Sequence, residues 1–316
     1  MAKRTGLVLD PLFQRHDPGS AHPERPDRLI AIEQALRERG LTDRCTPLPL
    51  RPATRDEILA LHRQQYLDRL EHTCRTGWPF IDCMDSGICP DSYNVALQAA
   101  GAVLEAADAI VAGTVQNAFC AVRPPGHHAL PEKSMGFCLF NNVALAAERL
   151  IRVHGLQRVL ILDWDVHHGN ATQAMFESRP DVLYVSLHGH PSCVYPGTGW
   201  ETEAGTGEGK GFTLNIPMLP GAGDAEYRRA FDEQVTSAVE AYRPQSVLVS
   251  AGYDAHRLDP LAPICLEDES FRWMNQTALA YADQWAGGRL LSVLEGGYNL
   301  VVLGRCVADH VESLCR

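Results

Sequence analysis

Arg158-Val159-Leu160-Ile161-Leu162-Asp163-Trp164-Asp165-Val166-His167-His168-Gly169-Asn170 changes character halfway along. Arg158 to Leu162 read as a strand buried on both faces of a parallel sheet, an apolar run just after a short polar break. Acids and imidazoles begin where that strand should end. Alternate residues of an extended segment face the same way, so Asp163, Asp165 and His167 can line one side. In open α/β sheets ligands bind at the carboxyl ends of the strands. Carboxylate and imidazole together at that place suit a catalytic zinc ion with an open coordination position.

Similar apolar runs recur at Gly6 to Leu9, Asn117 to Val122, Val182 to Leu187, Phe212 to Ile216, Ser246 to Ser250 and Arg289 to Leu294. Helical patterns fall at Pro26 to Arg39, Tyr93 to Ala112, Asn142 to His154, Ala225 to Tyr242 and Asp268 to Trp285. Alternation of this kind predicts an α/β fold with a largely parallel sheet flanked by helices and right-handed crossovers. No repeat, low-complexity segment or linker interrupts it, so residues 1–316 read as one domain.

The segments just beyond the strands carry the chemistry. Arg123-Pro124-Pro125-Gly126-His127-His128-Ala129 comes after one run, Ala251-Gly252-Tyr253-Asp254-Ala255-His256 after another, and Glu295-Gly296-Gly297-Tyr298 after a third. His188 and a Pro/Gly-rich loop to Trp200 come after Leu187. These ends should converge on one cleft. Asp165, His167 and Asp254 then offer two oxygens and a nitrogen to a metal, leaving room for water and substrate. A salt-bridged or capping cluster is the plainer alternative for any of them taken singly. Adjacent buried imidazoles need hydrogen-bond partners, and His127-His128 suit a general base with an electrostatic partner or general acid. Asp163 and Asn170 are the candidate partners. A carboxylate makes its histidine more basic and a neutral amide does so much less. Tyr298, on a flexible Gly-Gly turn, can donate to a developing oxyanion. His16, His22, His62, His72 and His154 have no comparable context and read as surface, capping or core residues.

Composition narrows the classes. Hydrophobic residues make up 45% and charged residues 21% of 316, an ordinary globular balance. A net charge of -11 argues against nucleic-acid binding, which calls for a basic face. The ten cysteines show no CxxC pair or regular framework, which reads as reduced, buried thiols and a cytoplasmic location. Met1-Ala2-Lys3-Arg4-Thr5 leads into a short strand with no signal-peptide core, and no apolar run reads as a membrane span. No phosphate-cradling glycine motif is present.

The stretches Arg123 to Ala129, Gly136-Phe137-Cys138 with Asn141-Asn142, Asp163 to Asn170, Ser250 to His256 and Leu294 to Tyr298 together resemble the zinc-dependent histone deacetylase superfamily. His22-Pro23-Glu24-Arg25-Pro26 and Arg51-Pro52-Ala53-Thr54 look like its class II and bacterial deacetylase-like amidohydrolases, which are related to acetylpolyamine amidohydrolases. The similarity runs over nearly the whole chain. It implies an arginase/deacetylase fold around an eight-stranded parallel sheet. It implies one catalytic zinc on Asp165, His167 and Asp254, and His127 and His128 as the active-site pair with Asp163 and Asn170 behind them. Tyr298 would polarise the scissile carbonyl. Phe137 and Tyr195 would wall an acyl-lysine tunnel, with Gly136 at its side and Ser86 and Leu261 at its rim. A structural K⁺ is implied at Asp163, Asp165, His167, Ser186 and Leu187, and a second alkali site near Phe176, Arg179 and Val182.

The activity so implied is hydrolysis of N-acyl amides, most simply of acetyl-lysine in proteins or peptides, by metal-activated water. Tyr195 stands where many members carry Phe. Leu261 occupies the rim position where polyamine-selective eukaryotic members place Glu, which weakens the reading of an acetylpolyamine amidohydrolase. An arginase-like ureohydrolase would need a second set of bridging ligands, and a non-catalytic acyl-lysine binder would have no use for the histidine pair and Tyr298. Homo-oligomer formation is left open, because dimer-forming loops vary in this family.

Overall fold

In the computed structural model, which describes residues 4–316, ten strands form. They are β1 (Thr5–Val8), β2 (Thr46–Pro47), β3 (Phe80–Ile81), β4 (Cys83–Gly87), β5 (Asn117–Cys120), β6 (Val159–Asp163), β7 (Val182–Gly189), β8 (Thr213–Met218), β9 (Ser246–Ala251) and β10 (Leu290–Leu294). Eight make one sheet in the order β2-β1-β5-β10-β9-β6-β7-β8, and β3 and β4 form a separate antiparallel hairpin. Every pair in the large sheet is parallel. Met1, Ala2 and Lys3 lie outside the described residues.

The helices are α1 (Asp27–Glu38), α2 (Arg55–Leu59), α3 (Gln64–Arg75), α4 (Ser92–Val111), α5 (Asn142–Arg152), α6 (Asn170–Phe176), α7 (Asp224–Ala230), α8 (Thr236–Tyr242), α9 (Asp268–Trp285) and α10 (Leu300–Leu314). They cover the sheet, so the strand interiors are buried throughout β5, β6, β7, β9 and β10. That explains their continuous Val/Leu/Ile runs in place of alternation.

The seven strands read from hydrophobic runs are present within two residues at each end. The eighth, β2, is two residues long, includes a proline and lies at the sheet edge, where a missing donor is tolerated. Such a strand leaves no periodic signal. The helix expected from Ala225 to Tyr242 is one helical run with a π segment, Phe231–Val235, between α7 and α8. Two further long helices are α3, which buries only Tyr66, Leu67, Leu70 and Cys74, and α10, which packs along α1.

Two expectations need correction. α4 is 20 residues long and an 18-residue span of it has a mean hydropathy of 1.3, enough by length and composition to cross a membrane. Packing against α5 and the sheet accounts for that apolarity, since 61% of the span is buried inside the fold. The cysteines are free, but only Cys45, Cys74, Cys120, Cys138, Cys306 and Cys315 are buried; Cys193 and Cys265 are exposed.

Gly101, in the middle of α4, marks a crossing. The Arg51-Pro52-Ala53 backbone lies so close that a Cβ at Gly101 would sit 2.0 Å from the Arg51 carbonyl oxygen. The Ala53 N–H donates to the Leu97 carbonyl at the same crossing, at 2.8 Å. An alanine in a helix interior ordinarily gains about 1 kcal/mol over glycine. Here Gly101→Ala should reverse that sign and destabilise by about 1–3 kcal/mol, as overpacking does. Urea unfolding measures it, and a variant as stable as the parent would remove the crossing from the fold's requirements.

Candidate active site

Five neighbouring strands, β5, β10, β9, β6 and β7, occupy the middle of the sheet. The loops beyond them deliver His127 and His128, Tyr298, Asp254, Asp165 with His167, and Tyr195 respectively. Extended backbone continues only to Asp163; residues 164–169 bend while still tied to the neighbouring strands by the Trp164 N–H to Ser250 and the Gly189 N–H to Val166, before α6 starts at Asn170. That turn separates the acids which a simple extension would put in line. Asp163 faces His127 and the Tyr184 hydroxyl, each 3.1 Å from its Oδ2, while Asp165 faces Asp254 and His167.

Asp165, His167 and Asp254 form a possible metal-binding triad, with one ligand atom from each lying within 4.8 Å of the others. The His167 Nδ1 is 3.1 Å from Asp165 Oδ1 and 3.1 Å from Asp254 Oδ2. Backbone amides fix both carboxylates. The N–H groups of His167 and Gly296 donate to Asp165 at 2.9 and 2.7 Å, and that of Val166 donates to Asp254 at 2.9 Å. Burial and the Asp165 charge push the Asp254 carboxyl up. Burial opposes charge on His167, but the two carboxylates overcome it and push the imidazole up to about 10. Two buried carboxylates sharing one imidazole are a site in want of a cation. Three protein donors of oxygen and nitrogen type, with positions left open, fit zinc.

The histidine pair is asymmetric. Its rings lie 4.0 Å apart between centroids. His127 Nδ1 meets Asp163 Oδ2 at 3.1 Å, and His128 Nδ1 meets the neutral Asn170 Oδ1 at 2.7 Å. Burial works against a charge on His127, but Asp163, Asp165 and Glu295 outweigh it and push the imidazole up to about 10. Burial, then His127 and His167, hold His128 well below its ordinary value. The surroundings of His127 thus favour its charged form and those of His128 its neutral form.

Above them is a cavity of about 210 Å³, lined by Asp85, His128, Gly136, Phe137, His167, Tyr195, Leu261 and Tyr298. Phe137 lies edge-on to Tyr298 at 5.9 Å between centroids, and Tyr195 edge-on to His128 at 5.2 Å. Burial and the Asp254 charge hold the Tyr298 phenol well above its ordinary value, so it keeps its proton. Ser86 is not at this mouth. It is fully buried and its hydroxyl donates to Asp85 Oδ1 at 3.1 Å, so that Asp85 is the residue lining the cavity. The alternation of strand β4 places neighbours on opposite faces, which turns Ser86 inward when Asp85 faces the mouth.

A histone deacetylase domain is matched over residues 22–314. The chain belongs to the histone deacetylase family. It is 38% identical over 331 residues to the "Histone deacetylase-like amidohydrolase" of Pseudomonas aeruginosa, covering 99% of this chain and 87% of that one. It is 39% identical over 304 residues to the human "Polyamine deacetylase HDAC10", covering 92% of this chain and 44% of that one. A crystal structure of the HDA15 HD domain superposes with a TM-score of 0.93 at 38% identity, covering 99% of this chain and 89% of the other. The architecture is thus the arginase/deacetylase fold of that family.

Other members of the site were not legible as such. Arg28, fully buried, donates from Nε to the Gly297 carbonyl at 2.7 Å and from Nη2 to the Glu295 carbonyl at 2.5 Å. Its charge lies 5.1 Å from the Tyr298 ring centroid. Glu24 neutralises Arg28 at 2.9 Å and also pairs with the buried Arg123. Glu295 Oε2 accepts the N–H groups of Gly126 and His127 at 2.7 and 3.2 Å. His22, read as ordinary, packs 4.5 Å from Phe137 between centroids, and its Nε2 hydrogen-bonds the Asp85 carbonyl at 3.0 Å. Glu24, Arg123 and Glu295 lay inside stretches singled out in the sequence, but without a role of their own, and Arg28 lay outside them.

A stabilising metal gives the triad a test independent of turnover. Zinc at 100 times its dissociation constant should add about 2.7 kcal/mol to the stability of metal-free protein. Asp165→Ala should abolish that gain and lose the bound zinc. A variant with full zinc content and an unchanged thermal shift would refute the ligand role.

Proposed function

We propose that this protein is a zinc-dependent deacylase that hydrolyses N-acyl amides of lysine side chains in proteins or peptides, most simply acetyl-lysine. The single observation that carries the reading is the cavity itself. Its lining brings the Phe137 and Tyr195 rings together with His128, His167 and Tyr298. Its volume of about 210 Å³ admits a linear acyl-amine stem, with the reacting carbonyl beside His128, His167 and Tyr298.

Asp165, His167 and Asp254 would hold the zinc ion. When bound, zinc supplies Lewis acidity that polarises a carbonyl oxygen and acidifies water. A general base must be unprotonated before it acts. His128 lines the cavity and is the imidazole whose surroundings favour the neutral form. It takes the water proton and returns it to the leaving amine. His127, held protonated against Asp163, sets a positive charge beside the reacting centre. Tyr298 donates its hydroxyl proton in a hydrogen bond to the carbonyl oxygen as negative charge develops there. Asp163 and Ser186, partners in the β6–β7 register, would with Asp165, His167 and Leu187 hold a structural K⁺. A second alkali ion would sit near Phe176, Arg179 and Val182.

Acetylated polyamines are the second reading, and Asp85 is the observation in its favour, since it puts a carboxylate at the cavity mouth. Leu261, at the same mouth and exposed, offers a cation nothing. Acetyl-lysine peptides should therefore exceed acetylspermidine in kcat/KM, and the reverse ranking would overturn the peptide reading. Leu261→Glu should move the ratio towards acetylspermidine by about fivefold, the effect of an exposed ion pair of about 1 kcal/mol. Tyr298→Phe should lower kcat on the order of 10²–10³-fold with zinc content intact. Near-normal turnover in that variant would remove Tyr298 from the mechanism.

A further inference from the structure

One carboxylate joins the rim of the cavity to the turn that carries Tyr298. Asp259 lies in the loop after β9, two residues before Leu261, and is 8% exposed. Its Oδ1 accepts the Leu261 backbone N–H at 3.1 Å. Its Oδ2 accepts the N–H groups of Tyr298 at 2.6 Å and Asn299 at 3.1 Å. Asn299 caps α10 and returns a bond from Nδ2 to the Leu258 carbonyl at 2.9 Å, so the two loops are tied twice. Amides at the start of a helix carry partial positive charge and favour a carboxylate there. With both oxygens engaged, the short aspartate side chain leaves little freedom between Leu261 and Tyr298.

We infer that Asp259 is a positioning residue for the reaction, locking the turn of Tyr298 to the rim loop of Leu261. The hydroxyl that meets the reacting carbonyl and the surface that meets the far part of the substrate are then set by one side chain. Arg28 holds the same turn through the carbonyls of Glu295 and Gly297. Asp259 alone among these holds the N–H of Tyr298 itself and reaches the rim. This inference rests on the acyl-amide hydrolase reading given above.

Misplacing a catalytic group by about 1 Å can cost on the order of 10²-fold. In the zinc-loaded protein, Asp259→Ala should lower kcat on acetyl-lysine peptide on the order of 10–10²-fold with zinc content unchanged, and the loosened Leu261 rim should raise KM by a smaller factor, about two- to fivefold. Asp259→Asn keeps an oxygen for the Tyr298 amide but turns an NH2 towards the Leu261 N–H, so its kcat should fall between those of the parent and the alanine variant. The decisive variant is Asp259→Ala combined with Tyr298→Phe. If Asp259 acts through Tyr298, removing it costs less than about threefold once the hydroxyl is gone, because coupled groups are not additive. Amide hydrogen exchange at Tyr298 and Asn299 should quicken in Asp259→Ala while β6 and β9 keep their protection. Asp259→Ser, too short to bridge, serves in the same way should the alanine protein not fold. Losses that multiply in full, or a parent-like kcat in the alanine variant, would overturn the inference. Absence of turnover in the parent protein would count against the hydrolase reading alone. Asp259 would then be judged by exchange, and unchanged protection at Tyr298 would refute the lock.

Discussion

Two carboxylates and one imidazole, all nearly closed off from solvent, meet within hydrogen-bonding distance where β6 and β9 end. Buried like charges repel strongly unless hydrogen bonds or a cation offset them. Much of the local structure answers that constraint. Backbone amides of Val166, His167 and Gly296 point at the carboxylate oxygens. Gly296 also has to be glycine, since a Cβ there would lie 2.1 Å from Asp254 Oδ2. The metal reading rests on the same electrostatics, because a divalent cation is the simplest balance for that donor set.

A second buried charge cluster holds the Glu295–Gly297 turn of the site. Glu24 pairs with Arg28 and Arg123, and all three are fully buried. Burying one of these charges alone would be costly, and pairing brings the cost down. The cluster ties the segment before α1 to the loop after β5 and to the Glu295–Tyr298 turn. Tyr298 therefore does not sit on a free hinge, as two successive glycines imply. Its turn is clamped by Arg28 through carbonyls and by Asp259 through amides.

Legibility in the sequence tracked the strength of the local signal. β6 was readable because Val159 to Leu162 are apolar without interruption, and the acids mark its end. β2 was not, because two edge residues with a proline carry no period. His127, His128, Asp163, Asn170, Asp165, His167, Asp254 and Tyr298 stood out because reactive residues came directly after strands with glycine or proline beside them. Arg28 and Asp259 stood in unremarkable contexts, a helix and a loop. Arg28 matters through carbonyls 267 and 269 residues along the chain, and Asp259 through an amide 39 residues away. Ser86 and Asp85 were adjacent, and only the facing of β4 tells them apart.

The amino-acid sequence alone determined the α/β layering, because hydrophobic runs separated by helical periods must bury both faces of a parallel sheet. It also determined which residue types collect at the strand ends. Tertiary structure decided which of them meet. The turn after Asp163 sends Asp163 to His127 and Asp165 to Asp254, a division that spacing along an extended strand does not predict. It also placed Asp85 at the mouth and joined rim to turn through Asp259. Such contacts depend on loops from distant strands closing on one another, and local propensity carries no record of that distance.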